Sequence, residues 1–202
     1  MKKTLFRIII GTVLLVLLTS QTEAVTSLFP DVPSDHQNLS AINYLKSEGI
    51  VQGYEDGSFQ PGKKINRAEF LKIVMKASSH TPSGQDCHND VQNQWFAPYI
   101  CKATQLELVQ GYDDGSFKPE KNINFAEASK IIVNILSLNK NSNNNDIWYH
   151  QFVVALETAK AIPVTITEFD EEINRGEMAE IIWRIKTNNT SQSSNTYQEI
   201  KG

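Results

Sequence analysis

Residues 53–70 recur as residues 111–128, at an offset of 58 positions and without a gap. The first copy reads Gly53-Tyr54-Glu55-Asp56-Gly57-Ser58-Phe59-Gln60-Pro61 and then Ile65-Asn66-Arg67-Ala68-Glu69-Phe70. The second reads Gly111-Tyr112-Asp113-Asp114-Gly115-Ser116-Phe117-Lys118-Pro119 and then Ile123-Asn124-Phe125-Ala126-Glu127-Ala128. A third stretch, Ile173-Asn174-Arg175-Gly176-Glu177-Met178, repeats only the second half. A repeat of this period is one supersecondary unit that cannot bury its apolar face alone, so neighbouring copies must share a core.

Each copy reads as a turn followed by a helix start. Asp56-Gly57 and Asp114-Gly115 suit a tight reversal that needs positive φ. Asn66, Asn124 and Asn174 are good N-caps, and Glu69, Glu127 and Glu177 stand three residues on, where a carboxylate can reach back to the cap's own N–H as a capping box. Ile65 and Phe70 add a hydrophobic staple across the first of these starts. The apolar spacing predicts helices over about 39–48, 66–77 and 174–186, with Asp35 capping the first and Trp95 to Ile100 opening the first helix of the second unit. The units fall at 25–78, 87–138 and 146–186, joined by a polar segment holding Pro82 and Gly84 and by the Asn/Ser-rich 139–145. Residues 187–202 carry few apolar side chains and are expected to be disordered.

Caps and turns account for the asparagines and glutamates by stability alone; Arg67 is left over. It stands in the first helical turn, where the macrodipole disfavours a cation by a few tenths of a kcal/mol, about the low end of dipole effects. A guanidinium beside free helix N–H groups would make a compact anion site. The other reading is an ion pair with an acid of a neighbouring unit. Arg175 repeats the placement in the third unit, whereas the second has Phe125, so that an anion site there would need Lys118 or Lys121.

With a net charge of −4, a pI near 5.6 and its basic residues scattered, the chain has no stripe for neutralising nucleic-acid phosphates. Lys2, Lys3 and Arg7, an apolar run from Ile8 to Leu18 and Thr22-Glu23-Ala24 have the order of a secretory signal, and cleavage is expected after Ala24. The run is about half of what a spanning helix needs, and no later apolar stretch is long enough, so no membrane association is expected once the signal is removed. Export makes Cys87 and Cys101 candidates for a disulfide; two cysteines with His88 lack the paired short spacings of a zinc site. His36, His80, His88 and His150 are dispersed, read as surface residues, and lie beside no nucleophile. The acidic turns fail as calcium loops, because Gln52 and Gln110 stand where the first ligand acid belongs. No catalytic residue, metal or cofactor is assigned.

The Phe29-Pro30-Asp31-Val32 opening, the Gly-Tyr-x-Asp-Gly-Ser-Phe-x-Pro turn and Ile65-Asn66-Arg67-Ala68-Glu69 resemble the S-layer homology domain, whose helix start carries a Thr-Arg-Ala-Glu signature. The chain resembles three such domains in tandem over about Phe29 to Lys186, the third degenerate. The resemblance implies an all-α fold in which three helix-turn-helix units form a pseudo-threefold spindle around a three-helix bundle, with grooves between units, in one chain acting as a monomer. It also implies a secreted, cell-surface protein that binds cell-wall polysaccharide, commonly pyruvylated, or modified peptidoglycan. Carried over by position, the ligand-binding residues are Arg67 and Arg175, Trp95 and Trp148, and Gly53 and Gly111 in the turns.

The departures are specific. Phe125 replaces the arginine of the second unit, Gln37 stands at the tryptophan position of the first, and Ile162 to Ile173 spans 11 positions where Ile50 to Ile65 spans 15, so the third unit lacks the glycine turn. At most two competent grooves are expected, with the second unit mainly supporting the others. Both tryptophans can equally be core residues. A different function, an envelope protein that docks another surface protein and has lost polysaccharide binding, fits the same repeats.

Overall fold

A computed structural model describes residues 25–140 and 147–202; the expected signal segment and Asp146, read as the opening of the third unit, lie outside them. The described residues form seven helices and no β-strand: α1 (Leu39–Ser47), α2 (Arg67–Ala77), α3 (Ala97–Gln105), α4 (Phe125–Ile135), α5 (His150–Thr158), α6 (Arg175–Thr187) and α7 (Tyr197–Lys201). The all-α reading holds. α2, α4 and α6 begin at Asn66, Asn124 and Asn174, each side chain accepting the N–H three residues on.

The segment before each of these helices binds its neighbours in a closed circuit. Ile65 N–H donates to Ile173 O (3.2 Å), Ile173 N–H to Ile123 O (3.1 Å) and Ile123 N–H to Ile65 O (3.1 Å), with all three isoleucines fully buried. The helix starts repeat the circuit one layer out: Arg67 N–H bonds Lys121 O (2.9 Å), Phe125 N–H bonds Glu171 O (2.9 Å) and Arg175 N–H bonds Lys63 O (3.0 Å). A helix leaves its first N–H groups without intrahelical acceptors, and here the adjacent unit supplies them.

Helix packing follows the same order. α3 lies on α2, α5 on α4, and α1 reaches round to α6, so each unit's first helix covers the second helix of the unit before it. α2 and α4 bury Phe70, Leu71, Val74, Ile131 and Ile132 while Lys72, Lys76, Lys130 and Asn134 remain partly exposed. α6 differs: Glu177, Glu180 and Arg184 are buried along with its apolar residues.

Four sequence expectations need correction. Of the three capping boxes expected, only Asn174 with Glu177 closes; the Glu69 and Glu127 carboxylates do not return to the N–H of their caps, because Tyr54, Tyr112 and the arginines draw them away. The N-cap position of α1 is Asn38, not Asp35, and its side chain makes no capping bond; it donates instead to Glu180 Oε2 at 2.5 Å. The histidines are half-buried rather than surface residues: His88 lies 5.6 Å from Phe117 and His150 4.6 Å from Tyr197. Residues 187–202 are ordered, ending in α7, whose Tyr197 and Ile200 are buried. These two apolar side chains at i and i+3, with hydrogen bonds from Arg184 and Ile162, hold a segment whose composition otherwise predicts disorder.

Candidate ligand grooves

Both glycine turns are held by an aspartate from the extended opening of their unit. Asp31 accepts Phe59 N–H (2.8 Å) and Gln60 N–H (2.7 Å) on its two oxygens, and Asp90 accepts Phe117 N–H and Lys118 N–H, each at 2.8 Å. Hydrogen bonds to an ionised acceptor are the stronger kind, at about 1.5–3 kcal/mol. Asp114 caps the second turn through the Ser116 hydroxyl and N–H, which, with lesser help from Lys118, hold its pKa down at about 2. Gly53 and Gly111 are fixed by close approach: a Cβ would lie 2.7 Å from a Phe29 ring carbon, or 2.7 Å from His88 Nδ1. His88 thus does in the second unit what Phe29 does in the first. A carbonyl of the same turn crowds each position as closely, Ser58 O at 2.7 Å and Ser116 O at 2.6 Å, so ring and backbone together exclude a side chain, an effect that repeat spacing alone does not reveal.

Arg67 and Arg175 are each 5% exposed, and their environments match. Arg67 Nε donates to Phe117 O (3.0 Å), its Nη1 stands 3.7 Å from Glu127 Oε2, and its guanidinium covers the Tyr112 and Phe117 rings at 5.0 and 4.6 Å. Arg175 Nε donates to Phe59 O (2.7 Å), its Nη1 stands 3.6 Å from Glu69 Oε2, and it covers Tyr54 and Phe59 at 4.5 and 4.7 Å. The expected pairing of guanidinium with free helix N–H groups is absent, because the circuit between units takes those donors. Each arginine reaches into the next unit, and the ion pair and the groove are parts of one arrangement.

Two hollows result. One, of about 210 Å³, is lined by Arg67 from the first unit, Gly111, Tyr112, Glu127 and Lys130 from the second, and Trp148 from the third. The other, of about 330 Å³, is lined by Arg175 from the third unit, Tyr54, Glu69, Lys72 and Lys76 from the first, and Trp95 from the second. Every unit contributes to each groove. The second unit, expected mainly to support the others, forms the floor of the Arg67 groove, and the groove deprived of arginine by Phe125 is the one on the third unit. Lys118 and Lys121 do not substitute there; both sit by Tyr112, Lys118 at 4.2 Å and Lys121 at 5.4 Å.

Trp95 and Trp148 are 54% and 52% exposed, so neither is core. Lys72 Nζ lies 4.7 Å over Trp95, and Lys130 Nζ 5.9 Å from Trp148. Burial, with the neighbouring Lys76 charge, lowers the Lys72 pKa. Burial pushes the Glu127 carboxyl up, but hydrogen bonds from Lys121 (2.9 Å) and Tyr112 (2.9 Å) and the Arg67 charge outweigh it, leaving the pKa lowered. Glu127 Oε2, facing Arg67, has no hydrogen-bond partner. An indole face, ammonium groups and a guanidinium in one hollow suit a ring-bearing anion. Their volumes, near or below the lower end of the roughly 300–1,000 Å³ usual for ligand pockets, fit a short unit of a longer molecule.

A disulfide joins Cys87 to Cys101 on α3, anchoring the linker that leads into the second unit. Closing a loop of about 15 residues stabilises by about 3 kcal/mol in the chain-entropy model.

Fold and grooves together define a ring of helical repeats that presents ligand-sized clefts between neighbours. The profile of the S-layer homology domain matches residues 28–71 and 89–129, which contain both glycine turns, so these two segments are S-layer homology repeats. It is 28% identical over 166 residues to the S-layer protein sap of Bacillus anthracis, covering 81% of this chain and 20% of that protein. An S-layer protein of Bacillus thuringiensis subsp. finitimus is 32% identical over 129 residues, 62% of this chain and 16% of its own length. A cellulosome-anchoring protein of Acetivibrio thermocellus is 31% identical over 110 residues, 52% of this chain and 25% of its own. The chain therefore spans a quarter or less of these relatives.

Proposed function

We propose that this protein attaches non-covalently to the cell envelope at the cell surface, holding an acidic secondary cell-wall polysaccharide, its carboxylates supplied by pyruvate ketals, in the Arg67 and Arg175 grooves. The observation that carries this reading is the recurrence of one constellation, a buried arginine, an exposed tryptophan and a lysine beside the indole, assembled twice from three units. The names of the relatives, S-layer and cellulosome-anchoring proteins, support attachment. Among the described residues no helix is long and apolar enough to cross a membrane. Residues 146–186 act as a third, degenerate repeat whose arginine and tryptophan complete the two grooves of the others.

Cosedimentation of the mature chain with purified wall polymer tests this, before and after mild acid removes pyruvate. Trp95→Ala with Trp148→Ala removes exposed side chains and leaves the buried arginines in place, so the double variant is expected to stay folded and remain in the supernatant. Undiminished binding by that variant, or to depyruvylated polymer, sinks the assignment.

A further inference from the structure

Counting from the N-cap asparagines, Lys72, Lys130 and Glu180 occupy one equivalent position and Lys76, Asn134 and Arg184 another. In the first two units these positions are partly exposed, and Lys72, Lys76 and Lys130 line grooves. In the third they are covered: Glu180 is 8% exposed and Arg184 2%. Asn38 of the first unit holds Glu180, and the segment after α6 covers Arg184. Arg184 Nη1 donates to Ser193 O (2.9 Å) as well as Lys160 O (3.1 Å), and Nη2 donates to Gln192 Oε1 (3.1 Å) and to Glu180.

On the opposite wall the difference lies in the backbone bonding. Gly49, Glu107 and Lys160 each follow a first helix with positive φ, and Val51, Val109 and Ile162 stand two residues on. Val51 and Val109 line the two grooves. Ile162 N–H instead donates to Ser194 Oγ (3.1 Å), Ile162 O accepts Asn195 N–H (3.1 Å), and Asn195 Nδ2 donates to Ile166 O (2.9 Å). Beyond it, Tyr197 N–H bonds Glu157 Oε2 on α5 at 3.0 Å and the ring rests 5.0 Å from Phe169.

We infer that the third inter-unit groove is a peptide site, filled in cis by the chain's own polar segment 189–196. The groove that has Phe125 and Gln37 at the arginine and tryptophan positions of the other two is kept closed by backbone and amide hydrogen bonds of the kind an extended peptide supplies, and Arg184, on the α6 face, holds the peptide's carbonyl and glutamine. The consequence that wall polymer finds two open grooves, not three, rests on the function proposed above; the occupancy does not.

Amide hydrogen exchange of the full mature chain, read residue by residue, tests both parts. The Ile162 and Asn195 amides are expected to be protected. Ser194→Ala with Asn195→Ala, which removes the Ser194 acceptor and the Asn195 side-chain donors, should speed exchange at Ile162 by about tenfold or more through local opening while Ile65, Ile123 and Ile173 keep their rates. Saturating purified wall polymer should leave exchange in 192–196 unchanged. Unprotected exchange at Asn195 in the parent chain, an unaltered Ile162 rate in the variant, or loss of protection on adding polymer would each overturn the inference. If polymer does not bind at all, the proposed function fails while the exchange rates still decide the occupancy.

Discussion

Glu127 and Glu177 sit at the same position of the same helix start and do different work. Glu177 turns back and accepts the Asn174 N–H at 2.8 Å, closing a capping box. Glu127 leaves its cap's N–H alone and receives Tyr112 and Lys121 with Arg67 beside it, and Glu69 likewise faces Tyr54 (3.4 Å) and Arg175. The difference lies outside the helix. Tyr54 and Tyr112 belong to the glycine turn that the third unit lacks, and the residue that would reach Glu177 from the second unit is Phe125 instead of arginine. The capping box is what such a glutamate does when no groove competes for it.

The largest test of that comparison puts an arginine back. Phe125 is fully buried and faces a unit whose glutamate is already committed to its own helix. Phe125→Arg is expected to cost roughly 3–5 kcal/mol, the range for an uncompensated buried charge, in denaturant unfolding. A variant within about 1 kcal/mol of the parent would mean that Glu177 releases its cap as readily as Glu127 does, and the two sites would not differ in kind.

Removing the glutamates sharpens the contrast at intermediate size. Glu127→Ala leaves the Arg67 guanidinium buried without an acid, at a cost on the order of 3 kcal/mol, and it should weaken cosedimentation with wall polymer as well. Glu177→Ala removes half of a capping box, worth about 1 kcal/mol, and should leave cosedimentation unchanged. Equal losses of stability from the two substitutions, or weakened polymer binding by Glu177→Ala, would contradict the division of roles.

The helices and their starts were legible in the sequence because caps and apolar spacing are local: Asn66, Asn124 and Asn174 sit where the pattern places them. The arginines and tryptophans that the resemblance named line the two hollows. What the repeat did not show is which unit each arginine serves, since Arg67 and Arg175 act across the circuit and a unit-by-unit reading assigns them one place off. The fate of residues 187–202 was hidden for a different reason. Its anchors, Arg184 and Ile162, lie in other elements, and a polar segment that satisfies their backbone and guanidinium groups has the composition of a disordered one.

The smallest effect is set by pH. The lowered pKa of Glu127 reflects Lys121, Tyr112 and Arg67 outweighing burial, so folding favours its ionised form. A carboxyl whose folded value lies below its unfolded one contributes stability that is complete above the unfolded value, here about 4.5, and that is lost as pH falls through the folded value. The stability difference between the parent and Glu127→Gln is therefore expected to be constant near neutrality and to shrink below about pH 4.5. The same pair of measurements on Glu177→Gln supplies the comparison, because the capping carboxylate accepts a backbone N–H and forms no ion pair among the described residues. Sodium chloride should then separate them: added salt weakens the exposed side of the Lys121 pair, which is 46% accessible, and leaves the Glu177 cap nearly unaffected. A salt dependence of equal size at both positions would show that the Glu127 cluster is held by hydrogen bonding alone.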